Sequence, residues 1–155
     1  MFGDTFTKVK INTSGAQINL VHGGSGRPLL LLHGYPQTHV IWHQIAPILA
    51  QNFHVICPDL RGYGDSSTPP STADHYPYSK RAMAADMIEV MASLGYDEFF
   101  VVGHDRGARV THRMALDHPE AILKACVMDI APTRHVFQHT DQQLATGYYH
   151  CFFLI

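Results

Sequence analysis

Hydrophobic and polar positions change their pattern early in the chain. Residues 5–12 and 17–21 alternate between apolar and polar side chains on either side of the Ser14-Gly15 turn, which predicts a β-hairpin. Residues 29–32 are instead a continuous apolar run. A strand buried on both faces of a parallel sheet has this pattern. The sequence therefore predicts an antiparallel edge followed by a central strand.

Strands and helices are predicted to alternate from there to residue 130. Short apolar runs predict further strands at residues 54–57, 99–102 and 125–128. Helical spacing predicts one helix after the cap residue Thr38, one after the cap residue Ser79, and one over residues 106–118. The first helix would carry Trp42, Ile45, Ile48 and Leu49 on one side. This alternation predicts an α/β fold, a mostly parallel sheet with helices on both faces.

Four chemically versatile residues directly follow predicted strands. They are His33, Asp59, Asp105 and Asp129. Ligands of parallel sheets bind outside the carboxyl ends of the strands, so these side chains are expected to converge on one rim of the sheet.

Asp105 occupies the most distinctive of these positions. It lies between Gly103 and Gly107, where an apolar strand turns into a helix and a Cβ would not fit. This is the pattern of a nucleophile elbow, with Asp in place of the usual Ser. The helix N-terminus favours the charged carboxylate, which predicts a nucleophile. The alternative is that Asp105 only caps the helix.

Composition narrows the class of ligand. The chain has 155 residues, enough for one domain, and a formal charge of -2 without a basic cluster, which argues against nucleic-acid binding. Neither a signal peptide nor a membrane-spanning run is visible, so a cytoplasmic location is expected. The three cysteines and twelve histidines show no metal-site spacing. We therefore expect a small-molecule substrate, no cofactor and no metal.

Three motifs then carry a specific resemblance. The segments H-G-Y-P at 33–36, D-L-R-G-Y-G-D-S at 59–66 and G-H-D-R-G-A-R-V at 103–110 resemble the α/β-hydrolase family, in the branch with an Asp nucleophile that contains epoxide hydrolases and dehalogenases. Within that branch the chain most resembles haloacetate (fluoroacetate) dehalogenases, over roughly residues 5 to 155. Epoxide hydrolases and haloalkane dehalogenases of this fold usually carry Trp at the position of Arg106, so this residue favours a haloacetate dehalogenase.

The resemblance implies a role for each rim residue. Asp105 would displace halide from a 2-haloacid and form an ester, which water then hydrolyses. The backbone N–H groups of Tyr35 and Arg106 would form the oxyanion hole. The guanidinium groups of Arg106 and Arg109 would bind the substrate carboxylate. Asp129 would orient a catalytic histidine.

The sequence also allows other interpretations of these residues. Arg109 could lie on the helix surface or pair with Asp59. Asp129 could cap the next turn. His33 more often orders its loop through hydrogen bonds than transfers protons, and His104 is assigned no role.

The end of the chain departs from the family pattern. Residues 1–134 are predicted to form the hydrolase core, and residues 135–155 the start of a helical cap. His150 matches a halide-binding histidine, but Cys151 stands where the family has Trp, and a thiol is a poor substitute for an indole N–H donor. This favours chloride or bromide over fluoride as the leaving group.

Family members continue beyond this point and supply a histidine that activates water. No histidine of this sequence can be assigned that role by motif, so the chain is expected to be C-terminally truncated and to support at most one turnover. Two alternatives to a haloacetate dehalogenase are an epoxide hydrolase-like enzyme and a non-catalytic hydrolase-fold module that binds or assembles through an exposed sheet edge. A homodimer is also left open.

Overall fold

A six-stranded mixed sheet forms the centre of the molecule. The computed structural model describes residues 2–149, so the predictions for His150 and Cys151 lie outside the described residues. The strands are β1 Phe6–Asn12, β2 Gln17–Gly23, β3 Arg27–Leu32, β4 Phe53–Pro58, β5 Phe99–His104 and β6 Ile122–Met128. Their order in the sheet is β1-β2-β4-β3-β5-β6. The strands β4, β3, β5 and β6 are parallel, and β1 and β2 are antiparallel, as the sequence predicts.

Helices connect the parallel strands, and two short helices follow the last strand. They are α1 Ala46–Leu49, α2 Lys80–Ser93, α3 Arg106–Asp117, α4 Thr133–Gln138 and α5 Gln142–Gly147. Short 3₁₀ segments occur at His39–Trp42, Tyr76–Tyr78 and Pro119–Ala121. The predicted caps are confirmed, because the side chains of Thr38 and Ser79 each accept a hydrogen bond from the backbone of the following turn.

Successive leucines of β3 divide the apolar core into two layers. Leu30 and Leu32 pack with α2 and α3 on one face of the sheet, and Leu29 and Leu31 pack with Trp42 on the other. All four leucines are buried. This is the arrangement that the continuous apolar run predicts for a central parallel strand.

The first predicted helix is wrong in its continuity. Instead of one helix, the chain forms the 3₁₀ segment His39–Trp42 and the single turn α1. Pro47 lies in the first turn of α1 and has no N–H to donate to the preceding turn. A proline is tolerated at a helix start but interrupts a helix interior, so the two segments remain separate.

The strand β6 forms the outer edge of the sheet beyond β5. Val127 and Met128 on this strand are exposed. The predicted boundary between residues 134 and 135 stays a prediction, and the helix α4 crosses it. In the described part of the chain, no helix combines the length and apolar character needed to cross a membrane.

Candidate active site

Asp105 lies at a sharp turn between β5 and α3. Its backbone has φ 50° and ψ −116°, a conformation that L-residues rarely adopt. A Cβ at Gly107 would lie 2.5 Å from the carbonyl oxygen of Leu32, and one at Gly103 would lie 2.5 Å from the carbonyl oxygen of Gly107. The structure therefore gives a steric reason for both glycines, and it places Asp105 at the N-terminus of a 12-residue helix.

The backbone of Tyr35 holds one oxygen of the Asp105 carboxylate. The Tyr35 N–H donates to Asp105 Oδ1 at 2.8 Å. Gly34 permits this approach, since a Cβ there would lie 2.5 Å from both Cβ and Oδ1 of Asp105. The N–H of Arg106, the first residue of α3, has no acceptor within the helix, because helical hydrogen bonding begins further along. The Tyr35 N–H therefore holds the carboxylate, and the oxyanion-hole role of the Arg106 N–H stays a prediction.

His33 orders the loop that carries Tyr35. It is fully buried, its Nδ1 lies 2.9 Å from the carbonyl oxygen of Gly34, and its Nε2 lies 3.0 Å from the backbone nitrogen of Leu60. Because Nε2 must accept from the Leu60 N–H, the proton resides on Nδ1. Burial lowers the pKa of His33. The side chain is therefore a neutral structural link, in line with the interpretation favoured from sequence.

Asp59 anchors a second loop of the rim from inside the protein. It is fully buried and accepts hydrogen bonds from the His39 backbone at 2.7 Å, from Asn19 Nδ2 at 2.9 Å and from the Asp65 backbone at 3.0 Å. Burial raises the pKa of Asp59, but the hydrogen bonds outweigh it and lower the pKa to about 2. The alternative in which Arg109 pairs with Asp59 is therefore wrong, since His39 holds that carboxylate.

A buried salt bridge fixes the same loop to α2. Arg61 donates to both carboxylate oxygens of Asp86, at 2.6 and 2.7 Å, and to the carbonyl oxygen of Pro77 at 2.8 Å. Asp86 also accepts from the hydroxyl of Thr13 in the hairpin turn. Arg61 therefore stabilises the framework, although it lines the same cleft as Arg106.

Arg106 lines an open cleft of about 900 Å³ beside Asp105. Its guanidinium lies 5.0 Å from the centre of the Tyr35 ring, a cation–π distance. Burial raises the pKa of Tyr63, and the neighbouring Arg106 guanidinium counters part of that rise through its charge and a hydrogen bond. Two tyrosines therefore hold the Arg106 side chain on the cleft side of the elbow.

Arg109 lies on the same helix and is half-buried. Its charge acts on Lys80, as do those of Arg106 and Asp105. Within residues 2–149, the Arg109 side chain forms no hydrogen bond or salt bridge; its backbone N–H donates to the carbonyl oxygen of Asp105 at 3.3 Å. Lys80, Arg106 and Arg109 are therefore three cations close enough to influence one another electrostatically, and two of them, Lys80 and Arg106, line the cleft.

Asp129 is more exposed to solvent than the other rim residues. It follows β6 with φ 52°, and its side chain is 87% exposed. Its Oδ2 lies 3.6 Å from His104 Nε2, longer than a normal hydrogen bond. His104 Nδ1 lies 3.1 Å from the side-chain oxygen of Gln37, which also accepts from the Gly34 N–H. Asp129 is therefore at the rim and open to solvent.

The sequence did not reveal three residues of this site. Gln37 follows the H-G-Y-P motif, and Tyr63 lies inside the D-L-R-G-Y-G-D-S motif, so their motifs were the available signal. Lys80 lies outside all three motifs, and only the packing of α2 brings it to the cleft. Among the described residues, no group of three His, Cys, Asp or Glu side chains could hold a metal ion.

Similar proteins share both the fold and the sequence of this region. Residues 27–152 match the model of the alpha/beta hydrolase fold family. A fluoroacetate dehalogenase from Burkholderia sp is 50% identical over 149 residues, 96% of this chain and 49% of that protein. A soluble epoxide hydrolase from Corynebacterium sp. is 42% identical over 119 residues, 77% of this chain and 40% of that protein.

Solved structures agree with these matches. The structure of a candidate alpha/beta hydrolase from Nostoc sp PCC 7120 is 61% identical with a TM-score of 0.97, and covers 100% of this chain and 53% of that one. A candidate acyltransferase from Salmonella enterica is 49% identical with a TM-score of 0.96, and covers 99% of this chain and 52% of that one. The chain spans less than half the length of the curated relatives above. On these matches, its fold and its sequence, the chain belongs to the alpha/beta hydrolase family.

Proposed function

We propose that this chain carries the nucleophile and the carboxylate-binding groups of a hydrolase of haloacetate dehalogenase type. The observation that carries the proposal is the pairing of a backbone-held carboxylate, Asp105, with neighbouring guanidinium groups that have no carboxylate partner in the described part of the chain. A 2-haloacid matches both features, since its carboxylate lies one carbon from the carbon that bears the halide.

The hydrogen bond from Tyr35 assigns different roles to the two oxygens of Asp105. Because the Tyr35 N–H holds Oδ1, Oδ2 is the oxygen available to attack the substrate. Attack on the α carbon forms the C–O bond of an ester while the carbon–halogen bond breaks and the halide leaves with the bonding electrons. Oδ1 then becomes the carbonyl oxygen of that ester and already accepts from the Tyr35 N–H.

Hydrolysis of the ester uses the same donors. Water adds to Cγ of Asp105, negative charge develops on Oδ1, and the N–H groups of Tyr35 and Arg106 stabilise it. Collapse of this intermediate releases a 2-hydroxyacid and restores the Asp105 carboxylate. In the proposal Asp129 orients the histidine that removes the proton from water, and that histidine is not assigned to a described residue. His150, proposed for the halide, lies outside the described residues.

Substrate orientation comes from Arg106 and Arg109. A guanidinium can bind a carboxylate through two parallel hydrogen bonds, which fixes the direction of the α carbon as well as its distance. The Tyr35 ring and Tyr63 restrict where the Arg106 side chain can point. The proposed substrate is therefore a small haloacid, and chloride or bromide is the favoured leaving group.

The second candidate function is that of an epoxide hydrolase. The Corynebacterium relative favours it, and the oxyanion hole at Tyr35 would serve both reactions. A neutral epoxide, however, gains nothing from unpaired guanidinium groups beside the nucleophile, whereas a carboxylate substrate does. This contrast ranks the haloacid first.

Alkylation of the intact chain tests the proposal. After incubation with bromoacetate, we expect Asp105 to gain one carboxymethyl group that hydroxylamine removes, because it is an ester. Carboxymethyl groups on cysteine sulfur resist hydroxylamine and serve as an internal contrast. The D105N variant should lack the labile group. Absence of that group from the wild-type chain would refute the proposal, and stable oligomers in the same sample would then favour a binding or assembly module.

A further inference from the structure

Lys80 is a half-buried cation whose charge is not paired with a carboxylate in the described part of the chain. It is the first residue of α2, is half-buried, and lines the same cleft as Arg106 and Tyr35. Its Nζ contacts the sulfur of Met83 at 3.9 Å. No carboxylate of the described chain lies within salt-bridge distance of it, whereas Arg61 nearby is fully paired with Asp86.

On balance, the surroundings of Lys80 disfavour a positive charge. Burial lowers the pKa of Lys80, the charges of Arg106 and Arg109 lower it further, and Asp105 raises it only in part, so that the pKa falls to about 8. The N-terminus of α2 adds the positive end of a helix dipole. No acidic residue occurs among the residues that line the cleft. A cation kept in such a place without a partner is typical of a site completed by an anionic ligand.

We propose that Lys80 is a specificity-determining residue, a third positive charge that binds the carboxylate of the substrate together with Arg106 and Arg109 and so selects anionic over neutral substrates. The inference deepens the proposed function and rests on it. Lys80 lines the cleft from α2 and Arg106 lines it from α3, so the two groups can contact a small anion from two sides, and Arg109 on α3 adds its charge to the same region.

Glycolate and glycolamide form a matched pair of probes for this role. They have nearly the same size, neither reacts with Asp105, and only glycolate is charged. Binding of each is measured by NMR titration of the intact chain. We expect K80Q to bind glycolate about tenfold more weakly, the loss typical of one charge-assisted hydrogen bond, and to bind glycolamide unchanged. K10Q removes a lysine from the exposed face of β1 and should match the wild type with both probes.

The pH dependence separates charge from shape. As pH rises through about 8, wild-type Lys80 loses its proton, so glycolate affinity should fall; K80Q should show no such fall, and K80R should retain affinity across the range. The other charged or titratable groups near Lys80 are Arg106, Arg109 and Asp105 at the elbow, and Tyr35, Arg61, Tyr63, His75 and Tyr78 around the cleft. H75Q is therefore the control for a histidine contribution.

These binding measurements test the role of Lys80 without requiring any reaction at Asp105. Equal glycolate affinity in K80Q and the wild type, equal losses with glycolamide, or no glycolate binding by the wild type would each overturn it. Failure of the proposed function has a different signature, which is the absence of a labile ester on Asp105 while glycolate binding still depends on Lys80.

Discussion

The substitution Gly34→Ala tests the geometry of the nucleophile directly. The new Cβ would lie 2.5 Å from Asp105 Cβ, 2.5 Å from Oδ1 and 2.9 Å from Cγ. Carbon atoms pack at about 3.5 Å, so one of the two residues must move by about 1 Å. A shift of that size is enough to lengthen the 2.8 Å contact between the Tyr35 nitrogen and Oδ1 beyond hydrogen-bonding distance.

The expected consequence is a slower reaction at Asp105. A misplacement of about 1 Å in a reacting group costs about 100-fold in rate. We therefore expect G34A to form the hydroxylamine-labile ester with bromoacetate at least about 100-fold more slowly than the wild type. Overpacking should also lower the free energy of unfolding by about 1–3 kcal/mol. Mass spectrometry over time gives the rate, and urea unfolding followed by Trp42 fluorescence gives the stability.

A glycine in open space provides the control. A Cβ at Gly147 would meet nothing within 4 Å, so G147A should change neither the alkylation rate nor the stability measurably. If G34A remained folded and formed the ester at the wild-type rate, the Tyr35 N–H would not be holding the reactive carboxylate, and the reasoning about the two oxygens of Asp105 would be refuted.

Three further predictions concern the framework. Asp86→Ala should lower the free energy of unfolding by about 3–5 kcal/mol, because it leaves the Arg61 guanidinium buried without its partner. Urea unfolding of D86A and of R61M/D86A will show whether removing both charges recovers part of that loss. The pKa of Asp59 is about 2 in the folded protein against an ordinary 3.8, so its ionised form contributes on the order of 2 kcal/mol to stability above pH 4, and this contribution is lost as pH falls toward 2. In urea unfolding, the wild type should therefore lose more stability than D59N between pH 5 and pH 2. Parallel losses in the two proteins would contradict this. The Thr111 hydroxyl is buried without a partner among the described residues, so Thr111→Val should raise the free energy of unfolding by about 1 kcal/mol, and a loss of stability would show that the hydroxyl is satisfied in solution.

Local sequence signals predicted the elbow and the alternation of strands and helices along the chain. Backbone atoms lie so close to Gly103 and Gly107 that neither position has room for a Cβ. The steric requirement of the turn is therefore visible in two glycines that lie close to Asp105 in the sequence. The apolar run of β3 predicted its central position because both of its faces are covered. Since parallel strands end at one edge of the sheet, knowing where each strand ended was enough to place Asp59 and Asp105 on a common rim.

The remaining features depend on contacts between distant segments. Lys80 enters the cleft through the packing of α2, and no periodicity within α2 distinguishes it from an exposed lysine. Asp59 pairs with His39, which lies 20 positions away in the sequence. This pairing excludes the alternative in which Arg109 pairs with Asp59. Asp129 has the predicted position after β6, but its 87% exposure could not be read from the strand that precedes it.

The most direct test of the central claim compares two reagents at one side chain. Rate constants for modification of Asp105 by chloroacetate and by styrene oxide are measured on the intact chain by peptide mass spectrometry, with D105N as the blank. We expect chloroacetate to form a labile ester on Asp105 and styrene oxide to modify Asp105 far more slowly. Modification of Asp105 by styrene oxide but not by chloroacetate would contradict the assignment of a haloacid as the substrate.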